Sequence, residues 1–196
     1  MNSSVTKHRI RRSRRWPLEP PSPPEMDKLR QRIPERAELA DLLDIVDLLY
    51  ETGIRRGEAQ ELKWSDVDLE KEQITIRPHK GAYERRVPIG ANIVSVLRSR
   101  RRRMPNSEFV FGNSARALLR RAGTQFGDLT SSVLGRRLSL RSLRHAFALR
   151  WMDSGADIGA LTAVLGIQSV ETTLKVFDSS RQQLEQLQKL RAAFGG

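Results

Sequence analysis

The chain has 196 residues, 35 of them Lys or Arg and 23 Asp or Glu, which leaves a net charge of +12 at pH 7. With 38% hydrophobic and 30% charged residues, its composition excludes a wholly disordered or collagen-like chain. The absence of cysteine excludes disulfides, thiolate zinc sites and cysteine nucleophiles together. No run of about 18 apolar residues is present, so no membrane span is expected. The Arg-rich N-terminus also lacks the apolar core of a secretory signal. The expectation is a soluble, cytoplasmic, strongly basic protein whose partner is a polyanion, most simply nucleic acid.

The charge is concentrated at the start. Residues 1–16 hold Lys7, Arg9, Arg11, Arg12, Arg14 and Arg15 with no acid, half of the net excess. Pro17, Pro20, Pro21, Pro23 and Pro24 follow, and such a segment continues neither a helix nor a sheet ladder. Residues 1–24 therefore read as a basic arm and an extended linker. Two uses of the arm stand side by side: a solvated or import-type basic run, and a strand of arginines (Arg11, Arg12, Arg14, Arg15) lying along DNA phosphates.

From Glu25 the pattern turns helical. Leu39, Leu42, Leu43, Val46 and Leu49 recur at three- and four-residue steps in Glu38–Glu51, with Ile45 and Leu48 widening the face and Gly53 as the stop. A short helix is expected over Arg56–Leu62. A β-hairpin follows, with strands Gln73–Arg77 and Arg85–Ile89 around a Gly-containing loop; Pro88 confines its strand to an edge. Ala91–Arg103 reads as a helix whose terminal arginines suit the macrodipole. A short strand over Glu108–Gly112 and a basic amphipathic helix over Ala115–Ala122 come next. Helices are expected over Leu143–Ser154, Ile158–Leu165 and Val170–Val176, and a tail over Arg181–Ala193 carries the stripe Leu184, Leu187, Leu190. The predicted class is mainly α with one small antiparallel β-sheet (α+β), with a core domain over residues 25–180 and a helical tail over 181–196.

Three segments place basic groups beside turns. They are Thr52-Gly53-Ile54-Arg55-Arg56-Gly57-Glu58, the hairpin loop with Lys80 ahead of Arg85 and Arg86, and Arg141-Ser142-Leu143-Arg144-His145. Each alone is an ordinary solvated charge cluster. In this order they resemble the catalytic domain of the tyrosine recombinases, the phage integrase family. The family's Thr-Gly-x-Arg-x-x-Glu is met by Thr52, Gly53, Arg55 and Glu58, and its hairpin lysine before Arg-x-Val-Pro by Lys80 and Arg85-Arg86-Val87-Pro88. Its His-x-Leu-Arg-His is met, apart from the first His, by residues 141–145. Leu165-Gly166 resembles the start of Leu-Gly-His, and Thr172–Phe177 the segment Thr-Thr-Leu-Arg-Val-Tyr. The resemblance covers roughly residues 26–180.

The resemblance implies site-specific DNA recombination or integration. A tyrosine oxygen attacks a phosphodiester, forms a 3′-phosphotyrosyl link, and a 5′-hydroxyl later reverses it, with no cofactor. Charge on the non-bridging phosphate oxygens is then met by paired guanidiniums, implied to be those of Arg55 and Arg144. Lys80 is implied to protonate the leaving 5′-oxygen, and Glu58 to orient an arginine. Arg85 and Arg86 are further candidates for DNA contact. Double-stranded DNA is the expected partner, with assembly on it through the C-terminal tail and no membrane association.

Three positions depart from the pattern. Arg141 stands for a family histidine; it donates to phosphate but is no base near neutral pH. Ile167 stands at a His or Trp position and offers no side-chain hydrogen bond. Phe177 stands where the tyrosine is expected, with the ring but not the oxygen. The only tyrosines are Tyr50 and Tyr83, both far from the C-terminal segment. The chain is thus expected to be incompetent for cleavage, through either an engineered Tyr→Phe change or natural decay. The rival from another class is a DNA-binding or architectural factor that uses the fold without chemistry. Tyr83, beside Lys80, reads as an aromatic stacking on DNA or the hairpin rather than a substitute nucleophile. A metal-dependent nuclease would need clustered ligands, whereas His8, His79 and His145 are scattered and Asp66 and Asp68 read as helix-to-strand punctuation.

Overall fold

The computed structural model describes residues 19–33, 37–78, 83–171 and 173–174. The arm arginines, Lys80, Phe177 and the Leu184, Leu187, Leu190 stripe lie outside the described residues. The proline-rich segment turns helical sooner than its composition suggests. Pro23 and Pro24, expected in a linker, are the first residues of helix α1 (Pro23–Arg32). The first turn of a helix has no partner for its N–H groups, so proline costs nothing there. The Ser22 N–H donates to Glu25 Oε2 at 2.9 Å and closes the turn. Arg136 then grips both oxygens of Glu25, at 2.7 and 2.8 Å, and pins α1 to a segment 111 residues on.

Helix α2 (Ala37–Thr52) is the axis of the molecule and packs against the three helices α4 (Ala91–Arg103), α5 (Ala115–Leu134) and α6 (Leu140–Asp153). Its buried side is the expected face apart from two positions. Leu42, Ile45, Val46, Leu48 and Leu49 are closed, while Leu39 and Leu43 are only half-covered. Along its length it carries the acids Asp41, Asp44, Asp47 and Glu51, spaced at three and four residues, of which Asp44 and Asp47 are buried. Arg30 of α1 donates to Asp47 (2.8 Å) and Glu51 (3.2 Å). Helix α2 ends at Gly53, whose φ is +65°. A Cβ there would overlap the Phe147 ring, so glycine is required twice, for backbone angle and for space.

A short helix α3 (Arg56–Glu61) and a single 3₁₀ turn (Trp64–Asp66) lead into the sheet. The sheet has one strand more than the expected hairpin: β1 (Val67–Asp68), β2 (Gln73–Ile76) and β3 (Arg85–Pro88), antiparallel in that order. Ile74 pairs with Val87 and Ile76 with Arg85, and β3 lies at the edge as Pro88 requires. Ile74, Ile76, Arg85 and Val87 all point inward.

Helix α4 (Ala91–Arg103) buries Ile93, Val94, Leu97 and then Arg100. Arg100 is no macrodipole ornament. It is 1% exposed, donates to Asp41 (2.6 Å), Asp44 (2.9 Å) and the Val110 carbonyl (2.5 Å), and lies over the Phe111 ring. The Glu108–Gly112 strand is not formed. Phe109 makes one isolated bridge to Lys63, and turns surround it.

Helix α5 (Ala115–Leu134) runs twelve residues beyond its expected end at Ala122. Burial of Leu119, Ala122, Phe126 and Thr130 on one side carries it through two glycines that propensity alone counts against. Helix α6 (Leu140–Asp153) begins three residues earlier than expected, behind the extended Ser139, which puts Arg141 inside the helix. Helix α7 (Ile158–Leu165) has the expected bounds, capped by Asp157 at one end and Gly166 (φ +59°) at the other. Residues 170–171 and 173–174 are helical, and the rest of the Val170–Val176 expectation lies outside the described residues. A large core joins α1 to α6 and the sheet, and a smaller one gathers Phe147, Ala148, Leu161 and Leu165.

Two outcomes follow from this packing. Gly53→Ala should cost about 2–4 kcal/mol, from a left-handed angle plus overpacking, and lower the midpoint of urea unfolding accordingly. Hydrogen bonds from Arg136, aided by Ser22, hold the Glu25 carboxyl down from 4.5 to about 2. A depressed acid stabilises the fold above its unfolded pKa and loses that contribution as pH falls through the folded one. Between about pH 4.5 and 2, therefore, Arg136→Ala should flatten the acid limb of a stability-against-pH curve.

Candidate functional site

Where α2 stops, the left-handed Gly53 turns the chain and Arg55 takes the N-cap position of α3. Glu58, three residues on, receives the Arg55 N–H at 2.7 Å. The same carboxylate accepts Arg55 Nη1 at 2.8 Å, and from β3 it accepts Arg85 Nη1 at 3.0 Å and Nη2 at 2.7 Å. The Arg-x-x-Glu spacing is thus the spacing from an N-cap to the third helical residue, used for a cap and an ion pair at once. Burial works to raise the Glu58 carboxyl, but hydrogen bonds from Arg85 and the Arg55 N–H outweigh it and hold it below the usual range.

The C-terminal end of α7 gathers the arginines. Val164 O accepts Arg85 Nε at 2.7 Å, Leu165 O accepts Arg144 Nη2 at 2.6 Å, and Gly166 O accepts Arg55 Nη2 at 2.9 Å. Three successive carbonyls at the negative end of a helix are met by three guanidiniums from three different elements. Arg144 also donates to Gly53 O at 2.7 Å, closing a ring between the two left-handed glycines. Arg55 is the most open of the three, with a side chain 43% exposed, against 7% for Arg85.

Arg144 is the electrostatic centre. Both carbonyls that it binds are neutral, and only 7% of the residue is exposed. Burial first, then the charges of Arg55, Arg85 and Arg141, draw its pKa down to about 9, with Glu58 alone opposing among the strongest influences. It is still protonated at neutral pH, in a nest of like charge. That arrangement calls for an anion with several acceptor oxygens. Arg141, expected to share a face with Arg144, is exposed at the start of α6 while Arg144 is buried, yet its charge is felt there. Next on the helix, His145 is buried; burial and then Arg141 bring it down to about 4, so it is neutral at pH 7.

One expectation changes and one holds. Arg85, a candidate for DNA contact, faces inward, with Nε, Nη1 and Nη2 all bonded within the protein. Strand alternation carries the signal: Arg85 shares the side of Val87 and Ile89, and Arg86 takes the outer side. Ile167 contributes no polar group; it packs on the smaller apolar core. Of the two tyrosines, Tyr50 is buried between Arg30 and Arg150, and Tyr83 is 75% exposed. Asp66 is held by Arg77 at 2.7 Å, and among the described residues no group of three or more His, Asp or Glu is placed to hold a metal ion. No helix among the described residues is long and apolar enough to cross a membrane.

Comparison with known proteins agrees with this fold. Residues 23–183 match the model of the phage integrase family. Tyrosine recombinase XerA of Pyrococcus furiosus is 32% identical over 131 residues, 64% of this chain and 46% of that protein. A putative integrase/recombinase, y4qK, of Sinorhizobium fredii is 32% identical over 130 residues, 63% of this chain and 42% of that protein. The chain spans about half the length of the curated relatives it matches. The crystal structure of XerA recombinase superposes with a TM-score of 0.68 at 25% identity, covering 89% of this chain and 65% of that one. XerH site-specific recombinase bound to difH substrate, in a pre-cleavage complex, superposes with a TM-score of 0.64 at 25% identity, covering 80% and 49%.

Glu58→Ala should be among the most damaging single changes, because it strands Arg85 in the interior without a counter-charge. Chemical denaturation should report a loss of about 3–5 kcal/mol. A loss below about 1 kcal/mol would mean that the carboxylate is not the keystone described.

Proposed function

The chain belongs to the phage integrase family, the site-specific tyrosine recombinases, and from that premise we propose that it binds duplex DNA with one backbone phosphate in the arginine pocket. The observation that carries this reading is Arg144, a buried guanidinium whose partners are two neutral carbonyls and whose neighbours are further guanidiniums. A phosphate diester supplies the missing negative charge and the acceptors for the N–H groups left over. A guanidinium has five such donors, and the bonds described use two on Arg55 and two on Arg144. Arg141, at the start of α6, adds a third cation at the rim, and Lys80, on the hairpin between β2 and β3, is assigned the leaving 5′-oxygen. The relative crystallised on difH substrate supports DNA as the source of that phosphate.

In this reading, covalent chemistry is missing. Phe177 stands at the nucleophile's position with no oxygen to bond to phosphorus, Ile167 removes a phosphate donor, and Arg141 replaces a group that could exchange a proton near neutral pH. Natural decay accounts for all three positions, whereas one engineered Tyr→Phe change accounts for one. The second reading, a DNA-binding factor without chemistry, is the same pocket put to architectural use. Arg86, exposed on β3, and the arm arginines Arg11, Arg12, Arg14 and Arg15 add phosphate contacts, and the tail from residue 181 serves assembly on DNA.

A nicked suicide duplex tests the chemistry. The unaltered chain should give no covalent protein–DNA adduct, and Phe177→Tyr should give little, since Ile167 and Arg141 remain. Adduct formed by the unaltered chain would overturn the reading, and robust adduct from Phe177→Tyr would overturn decay in favour of a single lost hydroxyl. Removal of residues 1–16 should lower the salt slope of duplex binding by several units, as expected when about six cations leave the interface.

A further inference from the structure

We propose that Arg85 is a positioning residue of the phosphate pocket: it fixes Glu58 so that Arg55 is presented to the anion, and it ties the hairpin strand β3 to the end of α7. The inference rests on the pocket reading above and assigns a function to a residue that does not itself face the DNA.

Arg85 is buried and its three nitrogens are all engaged, two on Glu58 and one on Val164 O. Glu58 is in turn the group that sets Arg55, through both the backbone N–H and Nη1. Without Arg85 the carboxylate has Arg55 as its single cationic partner among the bonds described. It is then free to follow that guanidinium and draw it away from an incoming phosphate. The Val164 carbonyl loses its donor at the same time, which loosens the turn that also binds Arg55 and Arg144. Gly166 is shaped around this contact: a Cβ there would lie 2.9 Å from Arg85 Nη1 and 3.0 Å from Cζ. The left-handed turn and the guanidinium therefore occupy one fitted space. A purely structural ion pair predicts something different, namely lower stability with the DNA contacts of the folded protein unchanged.

A double-mutant cycle on duplex DNA affinity, read by fluorescence anisotropy at a temperature where circular dichroism shows each variant folded, separates the two. Arg55→Ala and Arg85→Ala should each weaken binding about fivefold, and the double variant should be weaker than either by less than about twofold, because both remove the same contact. Arg85→Ala combined with Arg86→Ala should instead multiply, since Arg86 lies on the opposite side of the strand. Arg85→Lys keeps the charge and the fold but loses the two-pronged grip, so it should bind like Arg85→Ala. Unchanged affinity for folded Arg85→Ala or Arg85→Lys, or a multiplicative Arg55/Arg85 pair, would overturn the proposal while leaving the pocket standing. If Arg55→Ala alone leaves affinity and salt slope unchanged, the pocket reading fails and this inference with it.

Discussion

The last turn of α7 is the constraint on which the rest depends. A helix ends with carbonyls that have no partner within it, at the negative pole of its dipole. Here Val164, Leu165 and Gly166 find their donors on Arg85, Arg144 and Arg55, which lie 79, 21 and 111 residues away in the chain. One cap thereby joins β3, α6 and the loop after α2. Two of the left-handed glycines make room for this assembly. Gly53 lets α6 approach through Phe147, and Gly166 lets Arg85 lie across the turn.

Set against Arg30, Arg100 and Arg136, this cluster is unbalanced. Arg30 meets Asp47 and Glu51, Arg100 meets Asp41 and Asp44, and Arg136 meets Glu25. Those pairs fasten α1, α4 and the α5–α6 connection to α2 or to α1, and each guanidinium has a carboxylate. A buried charge matched in this way serves the scaffold. Arg144 has none, and Glu58 is divided between Arg55 and Arg85. The fold thus gathers Arg55, Arg85 and Arg144 around the last carbonyls of α7 with a single carboxylate, Glu58, bonded among them. Such a site is built for an anion before one arrives, which is the condition under which electrostatic stabilisation is strongest.

The proposed loss of chemistry and the preserved pocket belong to different physical requirements. Holding a phosphate needs guanidiniums at fixed positions, and those are set by helix ends, an N-cap and a strand register. Breaking its ester needs one oxygen at one place, and a single aromatic ring without it suffices to stop the reaction. In the proposed reading the two requirements separate, so the grip on a nucleic-acid backbone outlasts the loss of the nucleophile.

How much of this was legible beforehand varied with the range of the interaction. Helix α7, the stop at Gly53, the strands on either side of Lys80 and the Arg-x-x-Glu cap are local, written in periodicity, turn residues and spacing, and the structure holds them where expected. The ordered set of motifs was enough to identify the family and a mainly α fold with a small antiparallel sheet. The continuation of α5 past Ala122, the burial of Arg100 and the inward turn of Arg85 depend on partners dozens of residues away. A charged side chain in a strand or helix looks solvated until the fold brings its carboxylate. By itself the sequence determined which cations stand beside which turns; only the tertiary structure decided which of them are buried in pairs within the protein and which stay open. The reason is physical: burial and long-range pairing, not residue type, set whether a guanidinium is available.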